Sequence, residues 1–588
     1  MNLKKIIVRA SEKIRENHLH EAKELLTKAL KNNSNNSQLL NQLAFVCFKL
    51  NDLENAKKFL NNLLMLSFDE HAAKNLLLIL INSSDWINSK SLIQKALLYS
   101  YDKNEWNKNL AYVEGKLENF DTANKLYNEL ISTNNMDINL YINYGYLLNL
   151  QEKFDQAIKI YNDGIHIDKT NYHLLYNLGT TYKNKNNFKE SVEWFKKALA
   201  IKDTDYKLWL TMAGSFIEMN EMDKAHDAIE NASRLNANNP EIYHQLAIFN
   251  QRKGLNDVSI EYLIKALTLD PNHTEANYQL GLIYLKQNKY DEAKNHYKYR
   301  VFKQNRQIND FSVNELQKKD DLLAIWEQGI GDTLILMRLA RTIKKMVNTL
   351  TVVVQDKLYD YMRVNYPEII FYKNSDLDII KKNEDIIKKY KKINLASFLR
   401  FVNEPAISSS NEMVHKMNQY QIEVYRNQKF KLEKEEKIIG LSWKSSNEKL
   451  RNTKSFELMG LKEVLSNKKN YFVNIQYGEI KKEIDEIKSY CQKDIYVDNN
   501  LDYFNDIIGL SNLVASCDVV ITCSNITAHI AGAINKKTYL LLPKEIGELW
   551  YWYNDENYSS WYPSIEIIRQ KKIGDWDSVF KMIKEKLD

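Results

Sequence analysis

The chain has 588 residues, of which only 16 are glycine and 6 are proline, about a third of the usual share. This scarcity excludes collagen-like, proline-rich and glycine/serine-linker architectures, and it favours long helices joined by short turns. The net charge of +6, from 82 basic and 76 acidic residues, is too small to indicate a nucleic-acid partner by itself.

The cysteines and the apolar runs bear on the cellular compartment. Four cysteines occur without a CxxC pair or a histidine-rich neighbour, and this pattern predicts neither a zinc site nor a disulfide framework. We find no signal peptide and no apolar run of the ~18 residues that a membrane span needs. We therefore expect a cytoplasmic protein without a transmembrane segment, while peripheral contact with a membrane stays open.

Small residues recur at a fixed period through the first half of the chain. A first rung of alanine or glycine is followed twelve residues later by a second rung of alanine or serine, and the last six units are spaced by 34 residues. Small side chains there let two antiparallel helices approach closely, so the pattern predicts helix hairpins. The first rung comprises Ala10, Ala44, Ala111, Gly145, Gly179, Ala213, Ala247 and Gly281; the second comprises Ala22, Ala56, Ala123, Ala157, Ser191, Ala225, Ser259 and Ala293.

This pattern resembles the tetratricopeptide repeat and covers residues 1–305 in about nine units. The resemblance implies an α-helical solenoid, a fold that binds partners through its concave face. No group of histidines, cysteines or carboxylates stands apart from the solvated helix faces, so we expect a scaffold or a partner-binding groove. Its many asparagines and tyrosines either occupy loop and core positions or bind an extended peptide backbone. In most repeats a third small residue stands nineteen residues after the first rung, and Arg300 takes its place in the last repeat. This change indicates an end cap or a junction, which we place at 306–320.

From about Asp320 the pattern changes to short apolar runs that alternate with helical stretches. The runs LLAIW, TVVV, IIGLSW, YFVNIQ, DVVIT and TYLLLP are predicted strands. Strands that alternate with helices predict parallel, doubly wound sheets, whose ligands lie at the carboxyl ends of the strands. Helices are predicted at 333–346, 356–366, 456–465, 480–490, 510–515 and 526–534.

The loop after the first predicted strand holds two candidate bases, Glu327 and Asp332. Gly329 and Gly331 lie between them and let a ligand approach the turn closely. Asp332 can accept a proton, or it can simply cap the helix that is predicted from Thr333. The loop alone does not decide between these roles.

The loop after the predicted strand IIGLSW carries hydroxyl groups and cations. Lys444, Ser445, Arg451 and Lys454 occur there within a few residues of one another. Such a set suits a diphosphate, although a solvated basic loop has the same composition.

The loop after the predicted strand DVVIT leads into a helix whose first backbone N–H groups are available to an anion. Ser524 or Asn525 can merely cap this helix, and His529 can be a core histidine. Three such loops at the carboxyl edges of the sheets together predict a nucleotide-diphosphate site.

Six segments in this order, EQGIGD, GLSWK, NIQYG, SNITAHIAGA, WYPSIEIIRQ and GDW, resemble the glycosyltransferase domain of bacterial tetratricopeptide proteins. That domain is similar to the heptosyltransferases of glycosyltransferase family 9. The resemblance spans about residues 321–588 and implies a GT-B arrangement of two Rossmann-like lobes, a short one at 321–432 and a donor-binding one at 433–588. It also implies sugar transfer from a nucleotide-diphosphate donor without a metal or another cofactor.

The resemblance implies roles for individual residues as well. Asp332 matches the general base, with Glu327 as the second choice, and Lys444 with the Arg451/Lys454 pair matches cationic positions near the donor phosphates. The segment 524–529 matches the helix start that receives the diphosphate, although the family usually has Asp-Thr where this chain has Ser-Asn. The predicted donor-binding set comprises Gly329, Gly331, Lys444, Ser445, Arg451, Lys454, Gln476, Ser524, Asn525, Thr527, Ala528 and His529.

Three classes of function stay open. The first is a glycosyltransferase that uses a nucleotide-sugar and takes a protein or glycan acceptor through the repeat groove. The second is a catalytically inactive GT-B domain on an interaction scaffold, favoured by the Ser-Asn pair and the short first lobe. The third is another nucleotide-sugar enzyme such as an epimerase, although no Tyr-x-x-x-Lys signature can be placed. The sequence identifies neither donor nor acceptor.

Overall fold

The structure is a computed structural model that describes residues 3–133, 136–300, 315–382, 389–402, 415–433, 436–445, 451–467, 469–544, 549–552 and 557–587. The chain divides into two compact units, Met1–Asn238 and Asn239–Asp588. The first is built of helices, and the second combines helices with two β-sheets. The domain boundaries predicted at 305, 320 and 432 stay predictions.

Within its described residues, the first unit consists of seven helix hairpins. Each odd-numbered helix packs against the even-numbered helix that follows it. The helices are α1 (Leu3–Arg15), α2 (Leu19–Lys31), α3 (Ser37–Lys49), α4 (Leu53–Leu66), α5 (Glu70–Asn82), α6 (Trp86–Tyr99), α7 (Lys103–Lys116), α8 (Phe120–Thr133), α9 (Ile138–Leu150), α10 (Phe154–Ile167), α11 (Tyr172–Asn184), α12 (Phe188–Leu199), α13 (Tyr206–Glu218) and α14 (Met222–Leu235).

The rungs of small residues lie where the two helices of a hairpin touch. A Cβ atom at Gly145 would lie 2.4 Å from the Tyr161 ring, and one at Gly179 would lie 2.6 Å from the Phe195 ring. Both distances are shorter than van der Waals contact, so only glycine fits opposite these rings. The expected close approach of paired helices is confirmed.

The hairpin turns explain how the array forms with so little glycine. Each turn contains one residue in the left-handed backbone region, and that residue is asparagine in five turns and glycine in only one. Asparagine tolerates this conformation better than most residues. The nine residues are Asn17, Asn51, Ser84, Glu118, Glu152, Asn186, Asn220, Gly254 and Asn288.

The second unit begins with two more hairpins. They comprise α15 (Pro240–Arg252), α16 (Asn256–Leu269), α17 (Thr274–Lys286) and α18 (Tyr290–Tyr297). The described part of the chain before residue 300 therefore holds eighteen repeat helices in nine hairpins, as the sequence predicts.

Two parallel sheets follow the last hairpin. The first has the strand order β3-β2-β1-β4 and the second the order β10-β9-β8-β5-β6-β7. All pairings between these strands are parallel, which confirms the predicted parallel sheets. The strands are β1 (Asp321–Ile325), β2 (Thr349–Val354), β3 (Ile370–Lys373), β4 (Lys391–Asn394), β5 (Lys437–Ser442), β6 (Asn470–Asn474), β7 (Ile495–Tyr496), β8 (Val519–Cys523), β9 (Thr538–Leu542) and β10 (Ile565–Arg569).

Four of these strands are absent from the sequence prediction. β3, β4 and β7 are short and lie at or next to sheet edges, and β3 and β4 contain lysine. Short strands with polar residues lack the continuous apolar run of a central strand. β10 lies in the segment WYPSIEIIRQ, which carries the family resemblance but is not among the predicted strands.

The helices around the sheets follow the predicted alternation with shifted ends. The stretch predicted at 333–346 is two helices, and the first begins earlier, at Ile330. The helices are α19 (Ile330–Met337), α20 (Ala340–Met346), α21 (Tyr359–Asn365), α22 (Leu377–Lys382), α23 (Phe398–Phe401), α24 (Gln419–Val424), α25 (Arg451–Lys454), α26 (Lys462–Leu465), α27 (Lys481–Cys491), α28 (Ile507–Ser516), α29 (Ile526–Ala533) and α30 (Trp576–Leu587).

The four cysteines are free thiols, and three of them are buried. Among the described helices, none has both the length and the apolar character that crossing a bilayer requires.

Candidate functional site

The predicted site residues follow strands at the points where the chain reverses direction across each sheet. In the first sheet this point lies between β1 and β4, and in the second it lies between β5 and β8. Asp332 follows β1, Lys444 follows β5, and Asn525 follows β8. Ligands of doubly wound sheets bind outside the carboxyl ends of the strands at such reversals.

A helix next to each sheet carries predicted site residues, and these two helices contact each other. Helix α19, after β1, packs against helix α29, after β8. A Cβ atom at Gly331 would lie 2.6 Å from Nε2 of His529. Glycine at this position therefore lets the first turn of α19 reach the histidine of the second sheet.

Asp332 lies at the third position of α19. Its Oδ2 accepts a hydrogen bond from the Gly329 N–H at 3.0 Å, so the carboxylate caps the helix. Removal from water raises the pKa of Asp332 to about 6, although the Gly329 hydrogen bond, the Lys454 charge and the Tyr551 hydroxyl act in the opposite direction. A carboxyl with this pKa is mostly ionised at neutral pH and remains a useful base.

Lys454, at the end of α25, brings a buried positive charge to the same place. Its side chain is only 3% exposed. Burial lowers the pKa of Lys454, and the Asp332 carboxylate acts in the opposite direction. The two predicted residues, which come from different sheets, therefore influence each other directly.

Lys444 and Gln476 interact with other residues of the second sheet and its helices. The ammonium of Lys444 forms an ion pair with Glu483. The buried Gln476 accepts hydrogen bonds at Oε1 from the backbone N–H groups of Trp443 and Lys444, at 2.9 and 2.7 Å, and from the Ser442 hydroxyl at 3.0 Å. Gln476 thus fixes the end of β5 and the course of the following loop.

The start of α29 is buried and internally hydrogen-bonded. Asn525 caps the helix by accepting from the Thr527 N–H at 2.9 Å, and its Nδ2 donates to the Ser442 hydroxyl at 2.7 Å. The Ser524 hydroxyl accepts from the Trp552 indole N–H at 3.1 Å. Thr527 and Ala528 are fully buried. The capping role that the sequence allowed for Asn525 is the one it takes here.

His529 lies among aromatic rings. Its ring centre is 4.9 Å from that of Trp552, and Nδ1 is 3.3 Å from the Tyr562 hydroxyl. Burial lowers the pKa of His529 to about 3, so the imidazole is neutral at physiological pH. It can accept or donate a hydrogen bond but supplies no positive charge.

Ser445 and Arg451 differ in how far the structure describes them. Ser445 is buried, and its backbone N–H donates to the Ser455 hydroxyl at 3.0 Å. Arg451 begins α25, but its side chain lies outside the described residues. Its assignment to the donor phosphates stays a prediction.

Glu327 forms an ion pair with the last repeat. Its Oε1 accepts from Nε of Arg300 at 2.7 Å, and both side chains are buried. Arg300 also donates to the Ser397 hydroxyl at 3.0 Å. Arg300 therefore joins the ninth hairpin to the first sheet, which is the junction role that the sequence allowed for it.

Aromatic residues that the sequence did not single out complete the surroundings of Asp332. The Tyr551 hydroxyl lowers the pKa of Asp332, and burial raises the pKa of Tyr551 well above its usual value. Tyr297, from α18, accepts from the Gln328 amide at 2.9 Å. The aromatic density of the segment LWYWY was the available signal, but no spacing rule connects it to a residue two hundred positions away.

Comparison with known proteins identifies the repeat half. Tetratricopeptide repeat models match residues 13–78, 172–205, 240–273 and 262–295. These matches agree with the nine observed hairpins. The first 300 residues or so therefore consist of tetratricopeptide repeats, as predicted.

A curated relative matches part of the chain. Protein FlbA of Caulobacter vibrioides is 31% identical over 140 residues, which are 24% of this chain and 23% of FlbA. The chain thus spans about a quarter of the length of this relative.

Solved structures with detectable similarity include other repeat proteins. A tetratricopeptide repeat protein from Parabacteroides merdae is 15% identical and covers 48% of this chain and 98% of its own, with a TM-score of 0.34. PilF of Pseudomonas aeruginosa is 17% identical and covers 36% of this chain and 95% of its own, with a TM-score of 0.31. Similarity at this level carries no conclusion about arrangement or function.

Proposed function

We propose that the chain is a metal-independent glycosyltransferase of GT-B type, similar to the heptosyltransferases. It would move a sugar from a nucleotide-diphosphate donor to a hydroxyl or amide of a protein or glycan acceptor, and the repeats would dock the acceptor or a partner. The observation that carries the proposal is the pair formed by Asp332, after β1, and the buried Lys454, after β5. A base and a buried cation at the reversal points of two facing sheets suit transfer between two bound substrates.

In the proposed reaction, Asp332 takes the proton of the acceptor hydroxyl as its oxygen attacks the anomeric carbon of the donor sugar. The bond between that carbon and the diphosphate oxygen breaks, and the nucleoside diphosphate leaves with the electron pair. An amide acceptor would lose its proton to the same carboxylate. Glu327 is less suited as the base because its carboxylate is held by Arg300.

Lys454 would offset the negative charge that develops on the leaving diphosphate. Burial makes an ammonium costly in free energy unless an anion compensates for it. The Asp332 carboxylate compensates part of the positive charge of Lys454. This compensation of Lys454 is lost whenever Asp332 takes a proton. A bound diphosphate would then compensate Lys454, so binding of the donor and action of the base support each other.

Nucleotide binding provides the first test. We expect a UDP-, GDP- or ADP-sugar to raise the melting temperature of the full chain, by about 5 °C at a hundredfold excess over Kd. Lys454→Gln should abolish this shift, whereas Lys462→Gln, which alters an exposed lysine of the neighbouring helix α26, should leave it unchanged. A wild-type chain that responds to none of these nucleotides would rule out the proposed donor.

A second candidate is a catalytically inactive GT-B domain on the repeat scaffold. It is supported by the start of α29, where Ser524 and Asn525 are already engaged by Trp552, Thr527 and Ser442. In that case a nucleotide would either fail to bind or bind without turnover. Nucleotide-sugar hydrolysis, measured as release of the nucleoside diphosphate, separates the two because an active site usually transfers slowly to water.

A further inference from the structure

The odd-numbered helices of the first unit form a continuous face. Lys74 of α5 donates to Glu105 of α7 at 2.5 Å, and Asn149 of α9 donates to the Thr181 hydroxyl of α11 at 2.6 Å. Helices α7 and α9 also pack against each other directly, as do α9 and α11. Side chains at equivalent positions of successive odd-numbered helices are therefore neighbours.

Large apolar side chains stand in a row on this face. Each follows the first-rung position of its repeat, which Leu77 occupies in the third repeat, and their exposed fractions are 47% for Phe45, 48% for Leu78 and 47% for Tyr146. Tyr112 occupies the same position in the intervening repeat and is half-buried. Contiguous exposed apolar side chains in a folded protein indicate a surface for a partner.

Two lysines accompany this row. The ammonium of Lys49 lies 5.7 Å from the centre of the Phe45 ring, and that of Lys116 lies 5.4 Å from Tyr112 and 5.6 Å from Tyr146. Within the described residues, neither lysine is paired with a carboxylate. Their charges are therefore available to a ligand that also contacts the rings.

We propose that this face binds an acidic polypeptide segment whose apolar side chains contact the row Phe45–Leu78–Tyr112–Tyr146 and whose carboxylates pair with Lys49 and Lys116. The proposal rests on the partner-docking half of the proposed function and is independent of sugar transfer. It names the chemistry of the partner, which the repeat fold by itself leaves open.

A polypeptide fits this face better than a nucleic acid does. Two other lysines of the same helices are already neutralised, since Lys74 pairs with Glu105 and Lys108 pairs with Asp137. A phosphate backbone needs a continuous line of cations, whereas two separated lysines suit two carboxylates.

The length of the apolar row gives the length of the polypeptide segment that can cover it. Phe45 and Tyr146 lie on helices α3 and α9, which are separated by α5 and α7. Neighbouring packed helices are about 8–10 Å apart, so the row extends for roughly 30 Å. An extended chain covers that distance with about nine or ten residues.

Fluorescence anisotropy with the full chain tests the proposal. The probe is a labelled peptide of about ten residues in which glutamate alternates with leucine and phenylalanine. We expect Phe45→Ser or Tyr146→Ser to weaken binding by about tenfold or more, because large apolar contacts dominate such interfaces. Lys49→Gln and Lys116→Gln should each weaken it by roughly two- to fivefold, less so at high salt.

Matched controls use the even-numbered helices. Leu98→Ser in α6 and Lys125→Gln in α8 alter exposed side chains of the same two chemical kinds, and binding should not change. The proposal is overturned if a peptide with glutamine in place of glutamate binds equally well, if single-stranded DNA competes for the face, or if the controls weaken binding as much as Tyr146→Ser. Loss of nucleotide binding with retained peptide binding would instead count against sugar transfer alone.

Discussion

The carboxylate of Asp332 has two roles at once. One oxygen accepts the Gly329 N–H and so caps α19, while the group as a whole interacts with Lys454 and with the Tyr551 hydroxyl. The sequence presented helix capping and proton transfer as alternatives. The geometry makes them compatible, because a carboxylate has more acceptor positions than one cap requires.

The pH dependence of Asp332 follows from its pKa of about 6. Because this value is raised from 3.8, the group favours the folded state at low pH, and this contribution is lost as the pH rises from about 4 through about 6. Asp332→Asn should therefore be more stable than the wild type at pH 8, by up to about 3 kcal/mol, with the gain vanishing towards pH 4. Melting temperatures of both proteins across this range measure it.

Activity should respond differently to the same substitution. Transfer or hydrolysis by the wild type should increase through pH 6 as Asp332 ionises, and Asp332→Asn should lose about 10²–10⁴-fold in rate while it still binds the nucleotide. Full activity in Asp332→Asn would disprove the assignment of the base.

A substitution of Tyr551 tests whether its hydroxyl lowers the pKa of Asp332. Tyr551→Phe removes a hydroxyl that lowers the pKa of Asp332, so this pKa should increase above about 6. ¹³C NMR of carboxyl-labelled aspartate, with Asp332→Asn to identify the signal, measures this without any substrate. Tyr562→Phe is the matched control because that hydroxyl lies near His529. An unchanged pKa in Tyr551→Phe would show that the hydroxyl does not stabilise the carboxylate.

At the scale of helices and strands, the repeats were predictable from small residues alone. Gly145 and Gly179 mark places where one helix meets the aromatic ring of its partner, and left-handed turn residues recur with the same period. The sheets were predictable only in their central strands. Edge strands such as β3 and β4 form because a neighbouring strand offers hydrogen bonds, and this cause lies far away in the sequence.

Two glycines of adjacent odd-numbered helices should respond in opposite ways to alanine. Gly179→Ala would place a methyl group 2.6 Å from the Phe195 ring and should destabilise its hairpin by about 1–3 kcal/mol. Gly214→Ala would meet only the flexible end of Lys183 and should stabilise its helix by up to about 1 kcal/mol.

Hydrogen exchange of α11 to α14 measures both changes, because long repeat arrays do not unfold in one two-state step. Equal protection in the two variants would contradict the close-approach explanation of the rungs.

At the scale of the whole molecule, the last repeats and the sheets belong to the same compact unit, Asn239–Asp588. The ion pair between Arg300 and Glu327 is part of the reason, since it buries both charges between α18 and the loop after β1. The sequence pattern changes near residue 305 and therefore predicts a boundary between repeats and sheets there. In the structure, the last repeats and the sheets pack together in one compact unit.

Substitutions of Arg300 and Glu327 test how much this ion pair stabilises the packing of the last hairpin against the first sheet. Arg300→Met leaves the Glu327 carboxylate buried without its cation and should cost about 3–5 kcal/mol. The double variant Arg300→Met/Glu327→Met should recover most of that loss, because no uncompensated charge remains. Urea denaturation, followed by hydrogen exchange in α18, measures the stability of both variants. If Arg300→Met is as stable as the wild type, the ion pair contributes little to the packing of the last hairpin against the first sheet.

The sequence by itself determined the repeat architecture, the parallel character of the sheets and the loops in which the candidate site residues lie. These features depend on local periodicity and on the positions of small residues, and both are visible along the chain. Only the tertiary structure decided that Lys454 and Tyr551 lower the pKa of Asp332, that Asn525 is used as a cap, and that Tyr297 binds Gln328 in the loop before Asp332. Such pairings depend on how the two sheets and the last hairpin pack, because burial and hydrogen bonding are set by neighbours that are distant in sequence. The scarcity of glycine has a similar explanation: asparagine serves in most of the repeat turns, so glycine is needed there only once, and Gly145 and Gly179 stand where two helices touch.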